Sequence, residues 1–130
     1  MAAPRILLAD DEPRLLHIVS MFLGMEGYEV VAASDGNEAL RLLETETVDL
    51  AVLDVMMPGV DGIEVCRHIR ANPATRDLPV LVFTSLSSDA DVERARLAGA
   101  NHLITKPFSL PGLGAVIRNC FEKTTTALAS

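Results

Sequence analysis

Short apolar runs and longer amphipathic stretches alternate five times along the chain. "RILLA" (5–9), "YEVVAA" (28–33), "DLAVLD" (49–54), "PVLVFT" (79–84) and "HLIT" (102–105) are each of strand length. The third and fourth are nearly unbroken and rich in Val and Leu, as expected of strands covered on both faces in a parallel sheet. Between them apolar residues recur at helical spacing. Leu15, Ile18, Val19 and Phe22 mark the first helix, Ala39, Leu40 and Leu43 the second, and Val65, Cys66 and Ile69 the third. Val92, Ala95 and Ala98 form a weaker fourth set, and Leu113, Val116, Ile117, Cys120 and Phe121 the last. Pro13 suits a first helical position. Asp35 with Glu38, and Asp61 with Glu64, have capping-box spacing, and Ser88 and Ser109 are candidate N-caps. Gly24, Gly27 and Gly99 fall near helix ends, where a left-handed residue is often wanted. Five strand–helix repeats joined by short links predict an α/β fold, a single (βα)5 parallel sheet with helices on both sides. The domain is expected over residues 1–123, with 124–130 as a fraying tail or the start of a linker.

Length and composition narrow the function. A chain of 130 residues, nearly half of them hydrophobic, is one domain with a substantial core. No apolar run is long enough to span a membrane, and two acids interrupt the N-terminal apolar run before it could act as a secretory signal. Cys66 and Cys120 lack metal-type spacing and read as free thiols in a reducing cytoplasm. A formal net charge of −7 argues against direct nucleic-acid binding through phosphate contacts. The same charge means that any acidic cluster needs a cation.

The strand ends hold the candidate chemistry, because ligands of open parallel sheets bind beyond the carboxyl ends of the strands. The first strand runs into Asp10, Asp11 and Glu12; the third ends in Asp54, the fourth in Thr84 and Ser85, the fifth in Lys106 and Pro107. If those four strands lie side by side, three carboxylates, a hydroxyl and an ammonium converge on one edge. Clustered carboxylates repel, and one or more pKa values rise unless a cation neutralises them. Oxygen-only ligands suit Mg2+, which also shares its coordination with phosphate oxygens. Lys106 offers a second positive centre to an anion, and a hydroxyl adds a hydrogen bond. The parts describe a pocket for a phosphoryl group held between Mg2+ and Lys106, with Asp54 the central attacking carboxylate. Each part alone has a plain explanation: acids at a helix start favour the helix dipole, a strand-end Thr is β-branched, and a lone Lys is solvated. Their conjunction at successive strand ends is what carries the reading.

"LLADDEP", "LAVLDVMMPGVDG", "PVLVFTS" and "GANHLITKPF", in that order and spacing, resemble the response-regulator receiver domain of two-component systems over residues 5–122. The resemblance implies a flavodoxin-like, doubly wound sheet of strand order 2-1-3-4-5. It implies Asp54 as the phosphoacceptor, taking a phosphoryl group from a phosphohistidine on a sensor histidine kinase or phosphotransfer protein. It implies Mg2+ bound by the carboxylates of Asp11 and Asp54, by Asp10 through water, and by the backbone carbonyl of Met56. Lys106 would pair with the phosphate, Thr84 would move toward it, and Lys106–Pro107 resembles the family's cis peptide. Such a domain promotes its own phosphorylation and dephosphorylation without being a turnover enzyme. It switches a protein-interaction surface around the fourth and fifth helices for an unknown downstream partner, and homodimerisation through those helices stays open.

Two departures stand out. Leu103 occupies the fifth-strand position where receivers usually carry Tyr or Phe, and His102 beside it should face the other way. Gly112 and Gly114 lie near the start of the last helix, where loose packing is the simpler reading and a pliable output surface the alternative. Met56 and Leu86 stand where receivers flank the water that attacks the acyl phosphate; neither can orient a water, which predicts a long-lived phosphoryl group. A haloacid-dehalogenase-like phosphatase would need an acid where Met56 stands, and a flavodoxin-type cofactor binder would not place "ADDEPR" against a phosphate. A degenerate receiver that binds partners without phosphorylation is the remaining alternative. The length leaves no room for an output domain, so the chain is expected either to act alone through a partner or to be excised from a larger protein.

Overall fold

A computed structural model describes residues 3–85 and 88–129, with side chains through Glu122. Strands and helices alternate as β1 (Arg5–Ala9), α1 (Pro13–Met25), β2 (Glu29–Ala33), α2 (Gly36–Thr45), β3 (Leu50–Asp54), α3 (Gly62–Ala71), β4 (Val80–Thr84), α4 (Asp89–Leu97), β5 (His102–Thr105) and α5 (Leu110–Ala129). The strands form one parallel sheet in the order β2-β1-β3-β4-β5. The segment expected as a tail is thus helical to Ala129 as the end of α5. No described helix is long and apolar enough to cross a membrane.

Alternation along each strand sends side chains to two separate apolar layers. Leu7, Ala51, Leu53, Val80 and Val82 pack with α2, α3 and α4 residues such as Ala39, Cys66, Ile69 and Ala95. Ile6, Leu8, Val52, Leu81 and Phe83 pack with Val19 and Leu23 of α1 and with Leu113 and Ile117 of α5. Every residue of β3 and β4 is buried, which is why those two runs are unbroken in the sequence. Both cysteines are buried and neither is in a disulfide, and the Cys66 thiol donates to the Ala98 carbonyl at 3.3 Å.

The helix starts follow the expected residues with two differences. Pro13 opens α1, and Asp35, Asp61, Ser88 and Ser109 accept hydrogen bonds from the backbone N–H three residues on. Neither acidic box closes on its own cap, however. The Glu38 carboxylate accepts from Ser34 N–H at 2.7 Å, one residue upstream of the cap, and Glu64 pairs with Arg67 instead. Gly27 and Gly99 have positive φ, as the helix ends require, whereas Gly24 lies inside α1 without it.

Loose packing at the start of α5 does not hold. A Cβ on Gly114 would lie 3.2 Å from Glu26 Oε1 and from two ring carbons of Phe22, so this glycine lets α1 and α5 approach closely. Gly112 donates to the Ser109 hydroxyl at 3.0 Å and belongs to the cap. The same seam carries a Glu26–Arg118 ion pair at 3.0 Å and a Tyr28–Phe121 ring stack.

The turn after β3 is tight where it meets the site. Gly62 N–H donates to the Val55 carbonyl at 3.1 Å, and a Cβ there would lie 2.3 Å from the Asp54 carbonyl oxygen. Backbone on backbone cannot yield cheaply, so Gly62→Ala should destabilise the chain by about 1–3 kcal/mol. Gly24→Ala, with nothing within 4 Å of the added carbon, should instead stabilise it by about 0.5–1 kcal/mol. Urea denaturation of the two variants beside the parent chain measures both, and opposite signs are the expected result.

Candidate functional site

Each acid reaches the carboxyl edge of the sheet by the end of a buried strand. Asp10 follows β1 directly and donates its backbone N–H to the Ala33 carbonyl of β2 at 3.1 Å. Its side chain is buried, and Oδ1 accepts from Glu12 N–H at 2.8 Å, which fixes the turn into α1. Asp54 is the last residue of β3 and is only 3% exposed. Its Oδ1 accepts from Met56 N–H at 3.2 Å, so the loop after β3 aims a backbone donor at the carboxylate. Asp11 is exposed. One carboxylate oxygen from each of Asp10, Asp11 and Asp54 lies within 4.8 Å of the others.

Lys106 supplies the positive charge. Its Nζ stands 3.4 Å from Asp10 Oδ2 and 3.5 Å from Asp54 Oδ2, and 4.9 Å above the centre of the Phe83 ring. Lys106 N–H donates to the Thr84 carbonyl at 2.8 Å, and the Lys106–Pro107 peptide is cis. Thr84 ends β4, buried, opposite Thr105 of β5. The structure therefore assembles Asp10, Asp11, Asp54, Thr84 and Lys106 at one edge. Met56 joins through its backbone, while its side chain is 56% exposed. Leu86, singled out with Met56, lies outside the described residues.

The electrostatics of this edge are unbalanced. Burial pushes the Asp54 carboxyl up to about 6, and the neighbouring Asp10 adds to the rise. Lys106 and the Met56 N–H pull the other way without cancelling it. One ammonium is too little for this group of carboxylates. An all-oxygen donor set with an uncompensated negative charge fits a hard divalent cation of the Mg2+ type.

Two contributors escaped sequence reasoning. Gly62 brings the start of α3 onto the Asp54 backbone; the glycine directly after the capping Asp61 was its only signal. Phe83 stands under Lys106, where a phenylalanine among aliphatic strand residues was the sole mark. Leu103 packs in the α3/α4-side layer with Val82, and Ile104 in the other; alternation thus sets His102 on the face away from Leu103, as expected.

Comparison with known proteins bears directly on this arrangement. A profile described as "Response regulator receiver domain" matches residues 6–118. The transcriptional regulator RpaA of Synechocystis sp. is 39% identical over 121 residues, covering 93% of this chain and 50% of that protein. PhoP of Bacillus subtilis, an alkaline phosphatase synthesis regulator, is 38% identical over 126 residues, with 97% and 52% covered. The chain thus spans about half the length of these curated relatives. Among solved structures, Vibrio cholerae chemotaxis protein CheY4 superposes with a TM-score of 0.87 at 29% identity, covering 92% of this chain and 99% of that one. A CheY-like receiver from Methanospirillum hungatei gives 0.91 at 26% identity, with 97% and 99% covered. A flavodoxin-like sheet of order 2-1-3-4-5, acids and a lysine gathered at its carboxyl edge, and a family profile along most of the sequence agree: the chain is a member of the response regulator receiver domain family of two-component systems.

Proposed function

We propose that the chain accepts a phosphoryl group on Asp54 from a phosphohistidine of a sensor kinase or phosphotransfer protein, with Mg2+ bound, and thereby alters a surface on α4 and α5. The observation that carries this reading is Lys106 Nζ lying within 3.5 Å of both buried carboxylates while Asp11 offers a third oxygen at the rim. Asp10, Asp11, Asp54 and the Met56 carbonyl are the groups that would hold Mg2+, which supplies charge neutralisation to the phosphoryl oxygens. The remaining work falls to the chain. An Asp54 oxygen bonds to phosphorus as the P–N bond breaks, and the departing imidazole nitrogen takes the electron pair, leaving a neutral imidazole that keeps the proton on its other ring nitrogen. Lys106 follows the negative charge from carboxylate to phosphoryl oxygens, and the Thr84 hydroxyl supplies a hydrogen bond to the same group. The Met56 N–H, already on Asp54 Oδ1, keeps the nucleophile from rotating away.

A phosphoryl donor needs an approach path, and one is open. An apolar groove of about 470 Å3 runs from Lys106 between α1 and the start of α5, lined by Leu15, Ile18, Pro107, Phe108 and Leu110. Ile18 is 50% exposed on α1, with Met21 and Met25 also exposed further along the helix. That surface supports recognition of the donor protein near the first helix and the site loops. The acidic net charge supports an output through protein contact without direct nucleic-acid binding by this domain, and membership of the receiver family supports a cytoplasmic setting.

Three measurements test the reading. Incubation with acetyl phosphate should add about 80 Da, the mass of one phosphoryl group, only when Mg2+ and Asp54 are both present. Intact-mass spectrometry with an Asp54→Asn control reads this directly; absence of the adduct on folded protein would favour a binding module that works without phosphorylation.

The exposed, apolar Met56 side chain gives an attacking water no hydrogen bond. Met56→Asn should therefore speed loss of the phosphoryl group by about three- to tenfold, the scale of one added hydrogen bond. Following the decay of the phosphorylated mass in both proteins checks it, and equal decay rates would contradict the role given to Met56.

Asp54 also makes stability depend on pH. Folded, its carboxyl titrates near 6 against 3.8 in its ordinary state, so the folded chain holds that proton more tightly than the unfolded one. Ionising Asp54 thus costs folded stability: nothing below the lower value, the full amount above the higher. In chelator, Asp54→Asn should exceed the parent in stability by about 1–3 kcal/mol at pH 8, the gap closing toward pH 4. Denaturant titrations across that range measure the gap, and added Mg2+ should stabilise the parent more than the variant.

A further inference from the structure

Phe83 belongs to the apolar layer under α1 and α5, yet it also reaches the site from below. It is 1% exposed and pairs in register with Asp54 on one side and Ile104 on the other. Its carbonyl accepts from Val55 N–H at 3.1 Å, the residue directly after Asp54. Its ring meets the Lys106 ammonium at 4.9 Å and the edge of the Phe108 ring, centre to centre, at 5.5 Å. Lys106 is therefore held at both ends by consecutive residues of β4. The Thr84 carbonyl binds its backbone N–H, and the Phe83 ring face supports its charged tip.

This support matters because the polar contacts of the ammonium are long, 3.4 Å to Asp10 and 3.5 Å to Asp54. Such contacts do not fix a flexible four-carbon side chain tightly. A ring face attracts the ammonium at this distance without offering it a competing anion. The ammonium is left between the two carboxylates and the ring, at the point from which it can follow charge moving outward from Asp54.

We propose that Phe83 is a positioning residue for Lys106: its ring holds the ammonium against Asp10 and Asp54, and its edge contact with Phe108 ties that position to the loop opening α5. This rests on the phosphoacceptor reading above. It also places the aromatic partner of the site on the α5 side of the sheet, opposite the layer in which Leu103 packs.

A double-mutant cycle separates positioning from packing. Phosphorylation by acetyl phosphate with Mg2+ is followed by intact mass in the parent, Phe83→Leu, Lys106→Met and the double variant. Phe83→Leu should slow phosphorylation about three- to tenfold when Lys106 is present. In the Lys106→Met background the same change should leave the residual rate unaltered. An equal slowing in both backgrounds, or none in either, overturns the proposal, because a packing defect acts with or without the ammonium. Phe83→Met, closer to phenylalanine in length, repeats the cycle if the leucine variant melts too early.

An independent readout needs no variant at position 83. In the parent protein the Lys106 ε-methylene protons should resonate upfield of those of exposed lysines, shifted by the ring beneath them. Ordinary shifts would overturn the proposal even if Asp54 is phosphorylated. A parent chain that takes up no phosphoryl group at all would instead fail the phosphoacceptor reading, and this inference with it.

Discussion

Two buried carboxylates sharing one ammonium is the constraint around which this end of the molecule is built. Asp10 and Asp54 would separate in water. They are kept together because each is fixed to a strand end, and β1 and β3 are hydrogen-bonded neighbours. Sheet energy thus offsets charge repulsion, and what is left over appears as a raised affinity of Asp54 for a proton or a cation. Many nearby features follow from this. Glu12 and Met56 turn backbone N–H groups toward the acids, Gly62 clears room for the chain to leave, and Lys106 leans in from the sheet edge.

The fold was legible because its signals are local. Unbroken Val/Leu runs mark the fully buried β3 and β4, and all five strands and helices appear where their patterns fall. Some boundaries moved by a residue for physical reasons. Tyr28 spends its N–H on Leu23 to close α1, and Pro79 has none to give to a ladder. The strand-end positions of Asp54, Thr84 and Lys106 were legible in the same way. Relations between distant segments were not. Neither Glu38 reaching past its own cap to Ser34 nor Gly114 meeting Phe22 leaves a trace in any single window of sequence, and the Phe83 ring under Lys106 leaves only an aromatic residue in an aliphatic strand. Gly112 and Gly114 show the limit most clearly, since helix propensity counts both as weak points while one is a cap donor and the other a close-packing contact.

The two layers of the sheet are also anchored differently around the site. On the α3/α4 side, Arg70 is the main tie: its guanidinium donates to the carbonyls of Arg76, Leu78 and Gly99 and to Asn101 Oδ1, joining the loops that flank β4 and α4. Those bonds lie at the end of the molecule away from the carboxylates, so they fix the C-terminal end of α4 and leave its Ser88-capped start nearer the site. On the α1/α5 side the ties are mainly apolar and aromatic, with the Glu26–Arg118 ion pair beside them, and they extend up to Phe108 beside Lys106.

Asp10 and Lys106 are separated by 96 positions in the chain yet meet through side chains. Lys106 follows the edge strand β5, which pairs with β4 alone. An emerging polypeptide therefore carries its acids long before it carries their counter-charge. Until the edge strand docks, the acids at β1 and β3 lack the Lys106 ammonium, and their mutual repulsion goes unrelieved. Charge balance at this edge thus reports strand order: a chain whose β5 is unpaired or mispaired keeps its buried carboxylates without their counter-charge.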